Sequence, residues 1–133
     1  MQASHNPGFG AKELLVNRRQ TAEDSLLIVW TSGDREVALK MVFMYAGNAL
    51  KHGWWQEVTL LVWGPSQSLL AEDDRLQGRL AELKELGVRV VACKACADSY
   101  AVTERLEALG VEVFYTGELL TEWIGSGGFV VSF

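Results

Sequence analysis

Five short apolar runs, separated by stretches of helical character, constrain this sequence more than any other feature. They are Ser25–Trp30 (SLLIVW), Val58–Trp63, Val88–Ala92, Val111–Tyr115 and Phe129–Phe133. Runs of this length with little polar alternation are the mark of strands buried on both faces. After the first run, Thr31-Ser32-Gly33-Asp34 supplies turn and N-cap residues. The helix that follows is expected to bury Val37, Met41, Met44, Tyr45 and Ala49 and to stop at Gly53. Gly64-Pro65-Ser66 breaks the second run, and one helix from about Ser68 to Leu86 should bury Leu76, Leu80 and Leu83 before Gly87 ends it. A short helix or pair of turns is expected over Cys96 to Leu109, with Thr103 a cap partway along and Gly110 the stop. Leu119, Leu120, Trp123 and Ile124 form the apolar face of a last helix before Gly125. The alternation predicts a three-layer α/β/α fold around a mostly parallel five-stranded sheet. Right-handed crossovers then bring every strand-to-helix turn to one sheet edge, where ligands bind in open α/β sheets, and this gathers Thr31–Asp34, Gly64–Ser66, Cys93–Cys96 and Thr116–Glu118 there.

Composition narrows the class. The chain has 133 residues, 49% hydrophobic and 22% charged, the balance of one globular domain. Residues 1–24 show no sustained periodicity beyond Leu14–Val16 and read as a flexible N-terminal segment, leaving 25–133 as the folded domain. No apolar run reaches the roughly 18 residues that cross a membrane, and the N-terminus has no signal-like apolar stretch. A cytoplasmic protein with no membrane partner is expected. The formal net charge is −5 without a basic stripe, which argues against nucleic acid as a direct partner. Arg18 and Arg19 read as part of a solvated segment.

Candidate chemistry is concentrated in Cys93-Lys94-Ala95-Cys96, the stretch that holds both cysteines of the chain. In a reducing compartment such a pair points to catalysis, redox work or metal binding rather than a structural disulfide. His5 and His52 lie too far off in sequence to complete a zinc ligand set, so neither a metal nor a resident cofactor is expected. Cys93 follows a buried strand and opens a helix, where amides and the helix dipole favour a thiolate. The plain alternative is a small buried hydrophobe, the usual fate of a free cysteine. Lys94 adds a positive charge beside it. Cys96 is either a packed helix residue or a resolving thiol, and no proline follows the pair to supply a thioredoxin context. Thr31, Ser32, Gly33 and Asp34 could present amides and hydroxyls to an anion, or simply form a capped turn. Trp63 and Ser66 share the same edge. At the opposite edge, at least one of Trp54 and Trp55 should meet the core or a partner subunit.

Trp30-Thr31-Ser32-Gly33-Asp34, Trp63-Gly64-Pro65-Ser66 and Ala92-Cys93-Lys94-Ala95-Cys96-Ala97-Asp98, with a terminal strand ending at Phe133, together resemble the DsrE/DsrF-like family. The resemblance covers about Ser25 to Phe133. It implies a small α/β/α protein that assembles into trimers, hexamers or mixed complexes, with some members in sulfur relays. It also implies that Cys93 carries sulfane sulfur as a persulfide between donor and acceptor proteins, and it assigns Cys96 no role. Two other functions stay open: an oligomeric small-ligand-binding module using the edge near Trp30 and Trp63, and a dithiol redox protein using both cysteines. Sulfur transfer requires Cys93 alone, redox work needs both thiols, and a binding module needs neither.

Overall fold

Strand β1 (Ser25–Trp30) forms where the first apolar run predicts it, and β2 (Glu57–Val62), β3 (Arg89–Cys93), β4 (Glu112–Phe114) and β5 (Phe129–Ser132) join it in one sheet. The computed structural model describes residues 24–133, so the Leu14–Val16 patch and nearly all of the N-terminal segment lie outside the described residues. Strand order is β4-β3-β2-β1-β5 and every neighbouring pair is parallel. Helix α1 passes from Arg35–Val37 through a π-helical stretch, Ala38–Val42, into Phe43–Lys51. Helices α2 (Pro65–Glu72) and α3 (Asp74–Leu86) link β2 to β3, and α4 (Lys94–Ser99) and α5 (Thr103–Ala108) link β3 to β4. Helix α6 (Gly117–Gly125) leads into β5. None of the helices among the described residues is long and apolar enough to cross a membrane.

Strand order decides which face each helix covers. From β1 to β4 the chain steps in one direction, so right-handed crossovers put α1 to α5 on a single face. The step from β4 back past β1 to β5 runs the other way and sends α6 to the opposite face. Burial follows this division. Leu26, Ile28, Trp30, Val58, Leu60, Val62, Val90 and Ala92 meet Ala38, Leu39, Val42, Phe43, Leu76, Leu80, Leu83 and Leu106 in the larger core. Alternation turns Leu27, Val29, Leu61 and Val91 to the other face, against Leu119, Leu120 and Trp123 of α6. Towards the strand starts that second face becomes polar. Ser25 donates to Glu57 at 3.0 Å, and Arg89 grips Glu112 through two 3.0 Å bonds.

Two details correct the sequence expectations. The buried face of α1 is Ala38, Leu39, Val42, Phe43, Ala46 and Ala49, whereas Met41 and Met44 are exposed. The i→i+5 bonding of residues 38–42 (Phe43 N–H reaches Ala38 C=O) widens the turn and shifts the apolar stripe off the phase of a regular helix. The single helix expected over Ser68–Leu86 is also broken. Asp73 takes an extended conformation (φ −108°, ψ 108°), and its carboxylate caps α3 by accepting from Leu76 N–H at 3.0 Å. Of the tryptophan pair, Trp55 is buried in the core while Trp54 is 44% exposed and stacks on His52.

Asp73 makes a testable joint. Its carboxyl is held below the usual carboxylate range, first by the hydrogen bond from Arg35 and then by the Leu76 amide. A depressed folded-state pKa contributes stability that is complete above the unfolded value of about 4 and is lost as pH falls through the lower folded value. Asp73→Ala should lower unfolding free energy by about 1 kcal/mol at neutral pH. The difference from the parent should shrink on acidification, as followed by denaturant titration at several pH values. An equal deficit at acid and neutral pH would show that the cap bond does not carry the effect.

A cysteine held by two helix starts

The carboxyl ends of the strands are tied together by polar groups that donate to backbone carbonyls at the strand ends. Thr31 N–H, Thr31 Oγ1 and Ser32 N–H all donate to Phe133 C=O, at 2.8, 3.0 and 3.3 Å, joining β1 to β5. Ser66 Oγ donates to Trp30 C=O at 2.6 Å and its N–H to Thr31 C=O, joining β2 to β1. Gln67 is fully buried, and its Nε2 donates to Val62 C=O at 2.9 Å and to Cys93 C=O at 3.1 Å, joining β2 to β3. The edge is therefore a braced rim that fixes where Cys93 stands.

Cys93 ends β3, pairs with Phe114 of β4, and is the N-cap residue of α4. Strand alternation turns Ala92 into the larger core and the Cys93 side chain to the face crossed by α6. Trp63 and Phe114 pack on that same face. The thiol is 5% exposed and free. Burial pushes its pKa up, but the hydroxyl and amide of Thr116 and the amides of Cys96 and Ala95 favour the anion more, so the thiol lies below its ordinary value. The Cys93 side chain itself closes no cap hydrogen bond to α4. Thr116, the N-cap of α6, is fully buried, and its hydroxyl has no hydrogen-bond partner.

The remaining candidate residues divide clearly. Lys94 sits next to Cys93, but its ammonium binds Asp98 at 3.1 Å, and Thr103 donates to the other oxygen of Asp98. Cys96 is half-buried, three residues into α4, on the turn that opens beneath Cys93. The Thr31 amide and hydroxyl and the Ser32 amide donate to Phe133, the Ser32 hydroxyl oxygen accepts from the Asp34 amide, and Asp34 caps α1 by accepting from Glu36 and Val37 amides. A Cβ at position 33 would meet the Pro65 ring at 3.4 Å, so Gly33 lies where two rim turns pack against each other. Trp30 is buried in the larger core against Phe43, with ring centroids 5.2 Å apart, and does not line the edge. Among the described residues there is no cluster of three metal-ligating side chains.

Thr116 and Gln67 carry the site together with Cys93, although neither stands out as a chemical group in the sequence. Topology places Thr116, in the turn after the fourth apolar run, at the same sheet edge as Cys93, but only the fold shows its hydroxyl and amide acting on the sulfur. Gln67 follows the Gly-Pro-Ser break and has no motif of its own.

Comparison with known proteins adds a family and a fold. A profile of the DsrE/DsrF-like family matches residues 24–133. A solved structure of a conserved protein of unknown function from Bacteroides thetaiotaomicron is 33% identical, with a TM-score of 0.82 over 85% of this chain and 97% of that one. No curated protein matches the sequence.

The geometry fixes an expectation for the thiol itself. In a Cys96→Ser variant, thiolate absorbance should titrate with a midpoint below the roughly 8.5 of a free cysteine. A midpoint at or above that value would mean that burial prevails over the donors.

Proposed function

The chain belongs to the DsrE/DsrF-like family, and on that premise we propose that it carries sulfane sulfur as a persulfide on Cys93. The supporting observation is a free thiol at a strand end whose burial is outweighed by hydrogen-bond donors from two helix starts. In the forward step the Cys93 thiolate attacks the outer sulfur of a donor persulfide. A bond forms between Sγ and that sulfur, the donor's S–S bond breaks, and the donor leaves as a thiolate. An acceptor thiolate then attacks the outer sulfur of Cys93–S–SH and expels the Cys93 thiolate. Each step exchanges one S–S bond for another, so no outside oxidant or reductant is consumed. Cys93 is the nucleophile and later the leaving group, and the Thr116, Ala95 and Cys96 amides stabilise its anion in both roles. Gln67 holds the Cys93 backbone in place.

A dithiol reading draws on one further observation, the place of Cys96 one helical turn from Cys93 with its amide directed at Sγ. Mass spectrometry separates the two. After treatment with a persulfide donor, the parent and Cys96→Ser should gain the mass of one sulfur atom, reversed by reductant, and Cys93→Ser should not. Sulfur retained by Cys93→Ser would remove Cys93 as the carrier. An intramolecular disulfide in the parent, with no sulfur gained by either single variant, would establish the dithiol reading.

We also propose a homo-oligomer, a trimer or hexamer as the family implies, that meets separate donor and acceptor proteins. Met41, Met44, Trp54, Tyr115, Ile124 and Phe129 leave large apolar surface exposed for one small domain. Light scattering coupled to size exclusion at micromolar concentration should give a mass at least three times that of the chain. A monomer at that concentration would remove the assembly.

A further inference from the structure

Buried hydroxyls are nearly always hydrogen-bonded, and an unpaired one costs stability, a cost that a role in another state of the protein would explain. Three side-chain polar atoms among the described residues are buried without a partner: Trp30 Nε1, Gln67 Oε1 and Thr116 Oγ1. Trp30 lies inside the larger core, and Gln67 satisfies its other end on two carbonyls. Thr116 alone has its unpaired atom on the α6 face beside the Cys93 sulfur.

We propose that Thr116 is a positioning residue whose hydroxyl closes a hydrogen bond to Cys93 only when the sulfur is an anion, so that the site is built for the thiolate rather than the thiol. The proposal rests on the sulfur-carrier reading for its significance, although its geometry stands apart from it. A neutral thiol is a weak acceptor, which accounts for a hydroxyl that lies against it and remains unsatisfied. A thiolate is a strong acceptor, and charge-assisted bonds are shorter and stronger than neutral ones. The Thr116 amide points to the same atom, so one residue offers two donors from the start of α6.

Charged groups around the sulfur do not supply the same service. On α4, Lys94 is held by Asp98. On β3, Arg89 is held by Glu112 at the far end of the strand. From β2 and β4 the neighbours are Trp63 and Phe114, both apolar, and Tyr115 and Glu118 flank the start of α6. The groups that move the Cys93 pKa are burial, Thr116 and the amides of Cys96 and Ala95, with no formal charge among them.

The test compares Thr116→Val, which keeps shape and loses the hydroxyl, with Thr116→Ser, which keeps the hydroxyl, both in the Cys96→Ser background. Thiolate absorbance is titrated without any sulfur donor, and sulfur loading from a small inorganic polysulfide is then followed against pH. Thr116→Val should raise the Cys93 midpoint by about one pH unit, a tenfold loss of thiolate below the midpoint. The pH dependence of loading should move by the same amount. Thr116→Ser should restore both. Circular dichroism reports whether each variant is folded, and Thr116→Ala takes the place of Thr116→Val if the latter does not fold. An unchanged midpoint in a folded variant lacking the hydroxyl, or a Ser variant that behaves like Val, would overturn the proposal. A shifted midpoint in a protein that never loads sulfur would uphold Thr116 and refute the carrier function.

Discussion

One reversal in strand order governs this molecule. Four strands laid down in sequence put five helices on one face, and the final step across β1 leaves α6 to serve the other. A nine-residue helix spans only part of a five-stranded sheet. The second face answers with a short apolar centre under Leu119, Leu120 and Trp123 and with polar pairs nearer the strand starts, Ser25 with Glu57 and Arg89 with Glu112. Such exposed pairs contribute little stability individually. They keep that end of the face compatible with water.

The same reversal creates the site. A side chain at the end of β3 points to one face or the other according to register, and a slip of one residue would exchange Cys93 with Ala92. In the observed register Ala92 is in the larger core and Cys93 meets the N-cap of α6. The α4 helix is only six residues long, so its own amides are a modest field for the thiol. Thr116 adds donors from a second direction. Ser66, Gln67 and Thr31 prevent the strand ends from moving apart, and without that bracing a site assembled from separate turns would lose its geometry.

Much of this was legible in the residues themselves. The runs at Ser25–Trp30 and Phe129–Phe133 reappear as β1 and β5 almost to the residue, because buried parallel strands are written as unbroken apolar stretches. Cys93 was visible as the first residue after such a run, although the strand proves to end on it. Local pattern failed where a non-local partner or an irregular turn intervened. Met41 and Met44 look like core residues by identity, but the π-helical stretch turns them to solvent. Asp73 lies inside a helical pattern and breaks it, because its carboxylate is engaged by Leu76 and by Arg35 at the start of α1. Strand alternation and right-handed crossovers bring the turns of Cys93 and Thr116 to one edge, but nothing in either segment tells that Thr116 donates toward the sulfur.

A sulfur carrier has two opposed requirements, and the environment of Cys93 meets both with neutral groups. Burial limits oxidation of the sulfur but raises the thiol pKa, which would leave too little thiolate to attack. A lysine against the sulfur would offset burial, yet its fixed charge would favour the thiolate so strongly that nucleophilicity falls along with pKa. Amides and a hydroxyl act more gently. In the proposed carrier cycle they hold the anion while it attacks, loosen when the sulfur carries no charge, and hold it again when Cys93 leaves from the persulfide, where a stabilised thiolate departs faster. Lys94, one residue away, is tied to Asp98 instead. The protein therefore keeps its nearest cation off the sulfur and leaves the adjustment of that thiol to Thr116 and the first turn of α4.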